Sequence, residues 1–299
     1  MVNISYINFW PEDLNNIWFT KFIKYHFESC KIVPYDKSPD ILFASCFNST
    51  MHLNKVKSVQ AKCKIFFYGE NLERYPPYND IDLLRNTFDY IVGFKETNIQ
   101  EKQIRFPLWL IYYPYYSWNS EHNILTHIQN KYNVHSKQKR LFATIISRHD
   151  RGGQRTLIYD ELSKYGTIES PGNYRRNTKP IGEGKEDKIR YISQSLYNIC
   201  PENSCFEGYH TEKIFQAFEG GTIPLYWGID LPEPNIINRN KYCFCDIKNI
   251  DSLQQSIKHA CDTPDYYLQG ELFHENAGKH IENYYNTFIM CIKSVILHS

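Results

Sequence analysis

The sequence predicts an α/β protein with two Rossmann-like domains, each a largely parallel sheet between helices. Two observations predict it. Apolar runs of strand length alternate with segments of helical period along most of the chain. The series is interrupted by the polar segment Asn119–Lys139 and then starts again. Domains of residues 1–135 and 136–299 follow, the last helix being free to pack back on the first domain. A cleft between them is expected, because such sheets bind ligands outside the carboxyl ends of their strands.

In the first half, Val2–Phe9 reads as a strand and Leu14–Cys30 as a helix with apolar residues at helical spacing. Asp40–Cys46, Lys64–Tyr68 and Phe88–Phe94 read as short buried strands. In the second half, Arg140–Ser147 begins with a strand, Gln154–Tyr165 is a helix and Thr167–Glu169 a strand. Glu186–Gln194 is a helix and Ser195–Cys200 a strand. A helix then opens near Thr211 and ends at Gly220-Gly221, as a C-cap would end it. The strand Thr222–Trp227 and the helices Asp251–Cys261 and Gly278–Leu297 complete the series.

Composition narrows the function. Hydrophobic residues make up 42% and charged residues 22%, which is globular usage. The net charge of +1 gives no basis for bulk nucleic-acid binding. Nine cysteines without a CxxC pair argue against a zinc site and for a reduced setting. The start MVNISYINFWPEDL does not read as a signal peptide, and no uninterrupted apolar run is long enough to span a membrane. The tail YYNTFIMCIKSVILH reads as a docked helix rather than an anchor. The 24 Tyr and 18 Phe fit AT-rich codon usage and carbohydrate stacking equally well.

Several residues have chemical potential. Lys213 lies in the first turn of its helix, where it opposes the dipole, and a bound phosphate would reverse that penalty. Glu212 beside it can accept hydrogen bonds from sugar hydroxyls. An exposed Glu–Lys pair on a solvated turn is the alternative. Arg155, after Gly152-Gly153, is a second cation at a helix start, suited to bidentate phosphate contact or to a surface pair with Asp160 or Glu161. Glu70 ends the strand KIFFYGEN, where it is either a general base or a solvated loop residue. Gly69 allows close approach of a backbone or ligand. Asp80-Ile81-Asp82 has the form of a metal-holding DxD string but also that of an ordinary loop. The aromatic segment Phe106–Trp118 either packs internally or shapes a sugar site.

The stretch PENSCFEGYHTEKIFQAFEGGTIPLYWG, with FFYGEN, FDYIVGF, RFPLWL and RTLIYDEL, resembles glycosyltransferase family 10, the α-1,3/1,4-fucosyltransferases, and its bacterial members most. The likeness spans roughly residues 60–250 in one order. It implies a GT-B fold, an acceptor-side first domain and a second domain that binds GDP-β-L-fucose. It also implies inverting transfer to N-acetylglucosamine or glucose in a glycan. By the same resemblance Glu70 is the general base and Arg155 and Lys213 bind the pyrophosphate. Asn203, Tyr209 and Glu212 contact the donor. No cofactor or divalent metal is needed. The partners implied are GDP-fucose and an oligosaccharide or glycolipid acceptor, with no nucleic acid. The setting implied is the cytoplasm, peripheral contact with the inner face of a membrane being left open.

The chain departs from the family pattern at Pro201, where a Phe is common, and at Phe67, where an aromatic hydroxyl is common. It also carries no C-terminal heptad repeats or basic amphipathic tail. The same fold with a different donor or a lipopolysaccharide acceptor is one alternative. A non-catalytic glycan- or nucleotide-binding protein is another, against which the joint presence of Glu70, Arg155 and Lys213 argues.

Overall fold

The computed structural model describes residues 1–9, 13–46, 53–76, 78–117, 123–137 and 141–297. The chain divides into two compact units. The first comprises Met1–Asn119, Glu207–Tyr209 and Ile281–Ser299, and the second Ser120–Phe206 and His210–His280.

The first unit contains β1 (Val2–Ile7), α1 (Trp18–His26), β2 (Cys30–Ile32), β3 (Ile41–Ser45), α2 (Leu53–Ser58), β4 (Cys63–Phe67), α3 (Ile81–Thr87), β5 (Tyr90–Gly93) and β6 (Gln103–Arg105). Among the described residues its strands form a six-stranded parallel sheet in the order β2-β1-β3-β4-β5-β6. The runs ILFAS and CKIFF pair along their whole length, Ile41 with Cys63 through Ser45 with Phe67. Both are buried almost throughout, as strands covered on two faces must be. Trp18, Phe19, Phe22 and Ile23 give α1 its buried stripe.

The second unit contains α4 (Ile124–His135), β7 (Leu141–Ile145), α5 (Gln154–Leu162), β8 (Ile168–Glu169), α6 (Lys185–Ile192), β9 (Ser195–Ile199), α7 (Glu212–Glu219), β10 (Ile223–Tyr226), β11 (Cys243–Phe244), α8 (Ile250–Asp262), α9 (Pro264–Leu268) and the start of α10 (Ala277–Ile296). Among the described residues its five strands are parallel, in the order β11-β10-β9-β7-β8. The chain leaves β7 for β8 on one side and returns to β9 on the other. The switch point of this sheet therefore lies between β7 and β9, where a doubly wound fold opens a crevice. The fully buried Glu219 of α7 ties neighbouring elements together: Lys185 of α6 reaches it at 2.9 Å and His127 of α4 at 3.3 Å.

The structure revises some of these expectations and meets others. The polar segment Asn119–Lys139 carries the boundary between the units, as expected, but the boundary falls at Asn119 rather than at residue 135, so that most of the segment belongs to the second unit; 119–122 and 138–139 lie outside the described residues. Asn123 accepts a hydrogen bond from Thr126 N–H at 3.0 Å and opens α4, which buries Ile124, Ile128 and Tyr132 at a spacing of four. The helix expected over Leu14–Cys30 ends at His26, because Phe27 is extended and Cys30 begins β2, which pairs with β1. The DxD residues serve α3: Asp80 caps it, accepting from Leu83 N–H at 3.0 Å, and Asp82 pairs with Arg85 at 3.3 Å. As expected of the last helix, α10 from Ile281 on belongs to the first unit, where it buries Tyr285, Phe288 and Ile292. Phe288 stacks on Phe22 with ring centroids 5.1 Å apart and meets Phe106 at 5.0 Å. Phe106, Trp109 and Tyr113 of the aromatic segment are buried in packing, while Trp118 lies outside the described residues. Among the described residues no helix is long and apolar enough to cross a membrane.

Candidate functional site

The loop after β9 and the first turn of α7 are built around a carboxylate that sequence reading passed over. Glu202 is 0% exposed. One of its oxygens accepts from Thr211 N–H at 2.8 Å and from the Tyr226 hydroxyl at 3.3 Å. The other accepts from the Thr211 hydroxyl at 2.6 Å and from Lys213 Nζ at 3.0 Å. A buried carboxylate with these donors, beside the positive end of a helix, is satisfied on both oxygens. Its only sequence signal was its place in the ENS triplet, next to Asn203.

This changes the meaning of Lys213. Its side chain is 15% exposed, so it is not part of a solvated Glu–Lys pair, and Glu212 Oε1 stands off at 3.9 Å. The anion that offsets its charge against the helix dipole includes the chain's own Glu202. Burial pushes the Glu212 carboxyl upward, but the nearby Lys213 and Lys188 ammoniums outweigh it and hold the group below its ordinary value.

Arg155 is buried at the start of α5. Gly153 is the N-cap of that helix, and the Asp150 carboxylate accepts from its first N–H groups, from Thr156 at 2.8 Å and from Arg155 at 3.4 Å. The guanidinium donates to Asn203 Oδ1 at 2.9 Å, which joins α5 to the loop after β9. The surface pairs considered for it are made by others: Asp160 takes Arg175 and Glu161 takes Lys164 at 2.6 Å.

A cavity of about 40 Å³ opens at the switch point of this sheet. Its floor is Ile146, Ile199 and Cys200, at the carboxyl ends of β7 and β9. Its charged walls are Arg155 from α5, Lys188 from α6 and Lys213 from α7. Pro201 also lines it, so this departure from the family pattern faces the cavity. Arg155, Asn203, Glu212 and Lys213 lie in one unit, together with Glu202 and Lys188. Lys188 has a faint signal of its own: it lies four residues before Ile192, at the border of the buried stripe of α6.

Glu70 belongs to the first unit, three residues beyond the end of β4. The Tyr209 hydroxyl donates to its Oε2 at 3.1 Å. Tyr209, expected only as a donor contact, is therefore placed on the candidate base, where it fixes the carboxylate's orientation. Its ring is held edge-on by Phe94 at 5.2 Å, and Arg105 donates to the carbonyls of Phe94 and, at 3.5 Å, Gly208. Gly208 has φ +70°, and a Cβ there would lie 2.5 Å from the Phe94 carbonyl oxygen, so no other residue fits this turn. At Gly69 the close approach is by a side chain: Leu108 Cδ1 lies 2.5 Å from where its Cβ would be. Phe67 and Tyr68, the second departure from the family pattern, are both buried.

Residues 4–112 match the model of the alpha-(1,3)-fucosyltransferase FucT N-terminal domain, and residues 134–269 that of the glycosyltransferase family 10 (fucosyltransferase) C-terminal region. The chain belongs to glycosyltransferase family 10. The alpha-(1,3)-fucosyltransferase FucT of Helicobacter pylori is 26% identical over 263 residues, which are 79% of this chain and 51% of that protein. The chain spans about half the length, or less, of the curated relatives it matches first. A crystal structure of an alpha1,3-fucosyltransferase aligns with 99% of this chain and 90% of its own, at TM-score 0.70 and 21% identity. The structure of an alpha1,3-fucosyltransferase with GDP-fucose aligns over the same shares at TM-score 0.66 and 20% identity. These likenesses establish a GT-B type fold for this family 10 chain.

Proposed function

We propose that this family 10 chain transfers L-fucose from GDP-β-L-fucose to a hydroxyl of an N-acetylglucosamine or glucose residue, forming an α-1,3 linkage with inversion. The observation that carries the reading is the cavity at the switch point of the second sheet, into which Arg155, Lys188 and Lys213 bring positive charge. A nucleoside diphosphate sugar places its diphosphate at such a point. Charge builds on that diphosphate as the bond to the sugar breaks, so cations fixed there favour the transition state.

Glu70 takes the proton of the acceptor hydroxyl as its oxygen attacks the anomeric carbon. The bond from that carbon to the phosphate oxygen breaks on the opposite side, and its electron pair leaves with GDP. Arg155 and Lys213 meet the charge on the leaving group, while Asn203 and Glu212 contact hydroxyls of the donor. Because side-chain cations already face the diphosphate, a divalent metal is not required. The acceptor is an oligosaccharide or glycolipid.

Thermal unfolding with GDP, UDP, CDP and dTDP, each with EDTA or with magnesium, tests the donor. Incubation with GDP-fucose and N-acetyllactosamine tests the transfer. A GDP-selective shift that survives EDTA and an α-1,3-fucosylated product are expected. A preference for UDP or dTDP, or magnesium-dependent turnover, overturns that part of the reading.

A further inference from the structure

The geometry points to Lys188 as the principal diphosphate-facing cation of this site, a residue outside the set expected to hold the donor. The inference rests on the nucleotide-sugar reading above and deepens it. Lys213 and Arg155 already have partners: Lys213 Nζ is 3.0 Å from Glu202 and 2.8 Å from the Thr211 hydroxyl, and Arg155 donates to Asn203 at 2.9 Å. The Lys188 ammonium lines the same cavity and makes no hydrogen bond or ion pair to any described residue. Burial lowers its pKa, and Lys213 adds to that, against the pull of Glu212, Cys200 and Glu202. A desolvated ammonium without a close counterion is costly unless a ligand supplies one.

The cavity suits a phosphate rather than a nucleoside. About 40 Å³ holds on the order of three water-sized groups, comparable to the oxygens of one phosphate. An entering phosphate would have to share Lys213 with Glu202 and Arg155 with Asn203. At Lys188 it replaces nothing. Lys213 then has two tasks, meeting the diphosphate beside Lys188 and, with Glu202, holding the first turn of α7.

Calorimetric titration of GDP and of guanosine into the wild-type chain, Lys188→Met and Lys188→Arg tests this, together with thermal unfolding of each chain without ligand. Lys188→Met is expected to weaken GDP about 10- to 100-fold, as for a lost charge-assisted hydrogen bond. Guanosine affinity stays the same, and Lys188→Arg, which keeps the charge, stays within about tenfold of wild type for GDP. The ligand-free Lys188→Met chain unfolds at the wild-type temperature or above it, since it has lost a desolvated charge. GDP affinity within about threefold of wild type in Lys188→Met overturns the inference, as does an equal loss for guanosine or a fall in ligand-free unfolding temperature. If wild type takes another nucleoside diphosphate in place of GDP and Lys188→Met loses that one, the donor assignment fails and Lys188 stands. If wild type takes none of the four diphosphates, both fail.

Discussion

His210, between Tyr209 and Thr211, gives the second unit a calculable dependence on pH. The ring is 2% exposed, with Nε2 3.1 Å from Asp230 Oδ1 and Nδ1 3.6 Å from Glu233 Oε1. A neutral ring accepts Glu233 N–H at Nδ1 at 3.1 Å, whereas a protonated ring turns that nitrogen toward the Glu233 carboxylate. Burial opposes the charge, but the hydrogen bonds and charges of Asp230 and Glu233 outweigh it and raise the pKa from 6.5 to about 9. A rise of that size corresponds to ~3 kcal/mol of stability at 1.36 kcal/mol per unit. Because the folded value lies above the unfolded one, this stability is fully present below about 6.5 and is lost as pH rises through about 9. Urea unfolding of wild type and His210→Gln from pH 6 to pH 10 checks it. The gap between the two is expected to shrink by ~3 kcal/mol across that range, other titrating groups cancelling in the difference. Added salt should trim the gap, since the Asp230 side chain is 40% exposed. Parallel curves would refute the assignment of a charged, doubly paired His210.

Two further outcomes follow from the buried contacts. Glu202→Ala removes the acceptor of Thr211, Tyr226 and Lys213 and leaves a mostly buried ammonium without this carboxylate. It should cost ~3–5 kcal/mol in urea unfolding, and a loss under ~1 kcal/mol would show that water or a rearranged loop replaces Glu202. Glu70→Gln should abolish transfer while leaving GDP affinity unchanged by calorimetry, and Tyr209→Phe should lower kcat about tenfold by freeing the carboxylate. Retained turnover in Glu70→Gln would assign the base to another residue.

The parallel sheets were readable because their central strands are buried on both faces and must be apolar: ILFAS and SLYNI stand out as runs. The strands that went unread, CKI, QIR and CF, are short edge strands, and QIR buries Gln103 and Arg105, so hydropathy passes over it. The helix α4 was legible in principle, since Ile124, Ile128 and Tyr132 recur at a spacing of four, but the polar residues between them outweighed that stripe.

By itself, then, the sequence determined the α/β class, the order of the central elements and the placing of Lys213 and Arg155 in the first turns of helices. These properties are local, fixed by hydrophobic period and by what helix ends accept. Only the tertiary structure decided which charges are already paired. Glu202 reaches Lys213 from 11 positions away, Lys188 enters their cavity from another helix, and Tyr209 meets Glu70 across 139 positions. Electrostatic pairing depends on distance in space and on the loss of water, and a linear pattern carries neither.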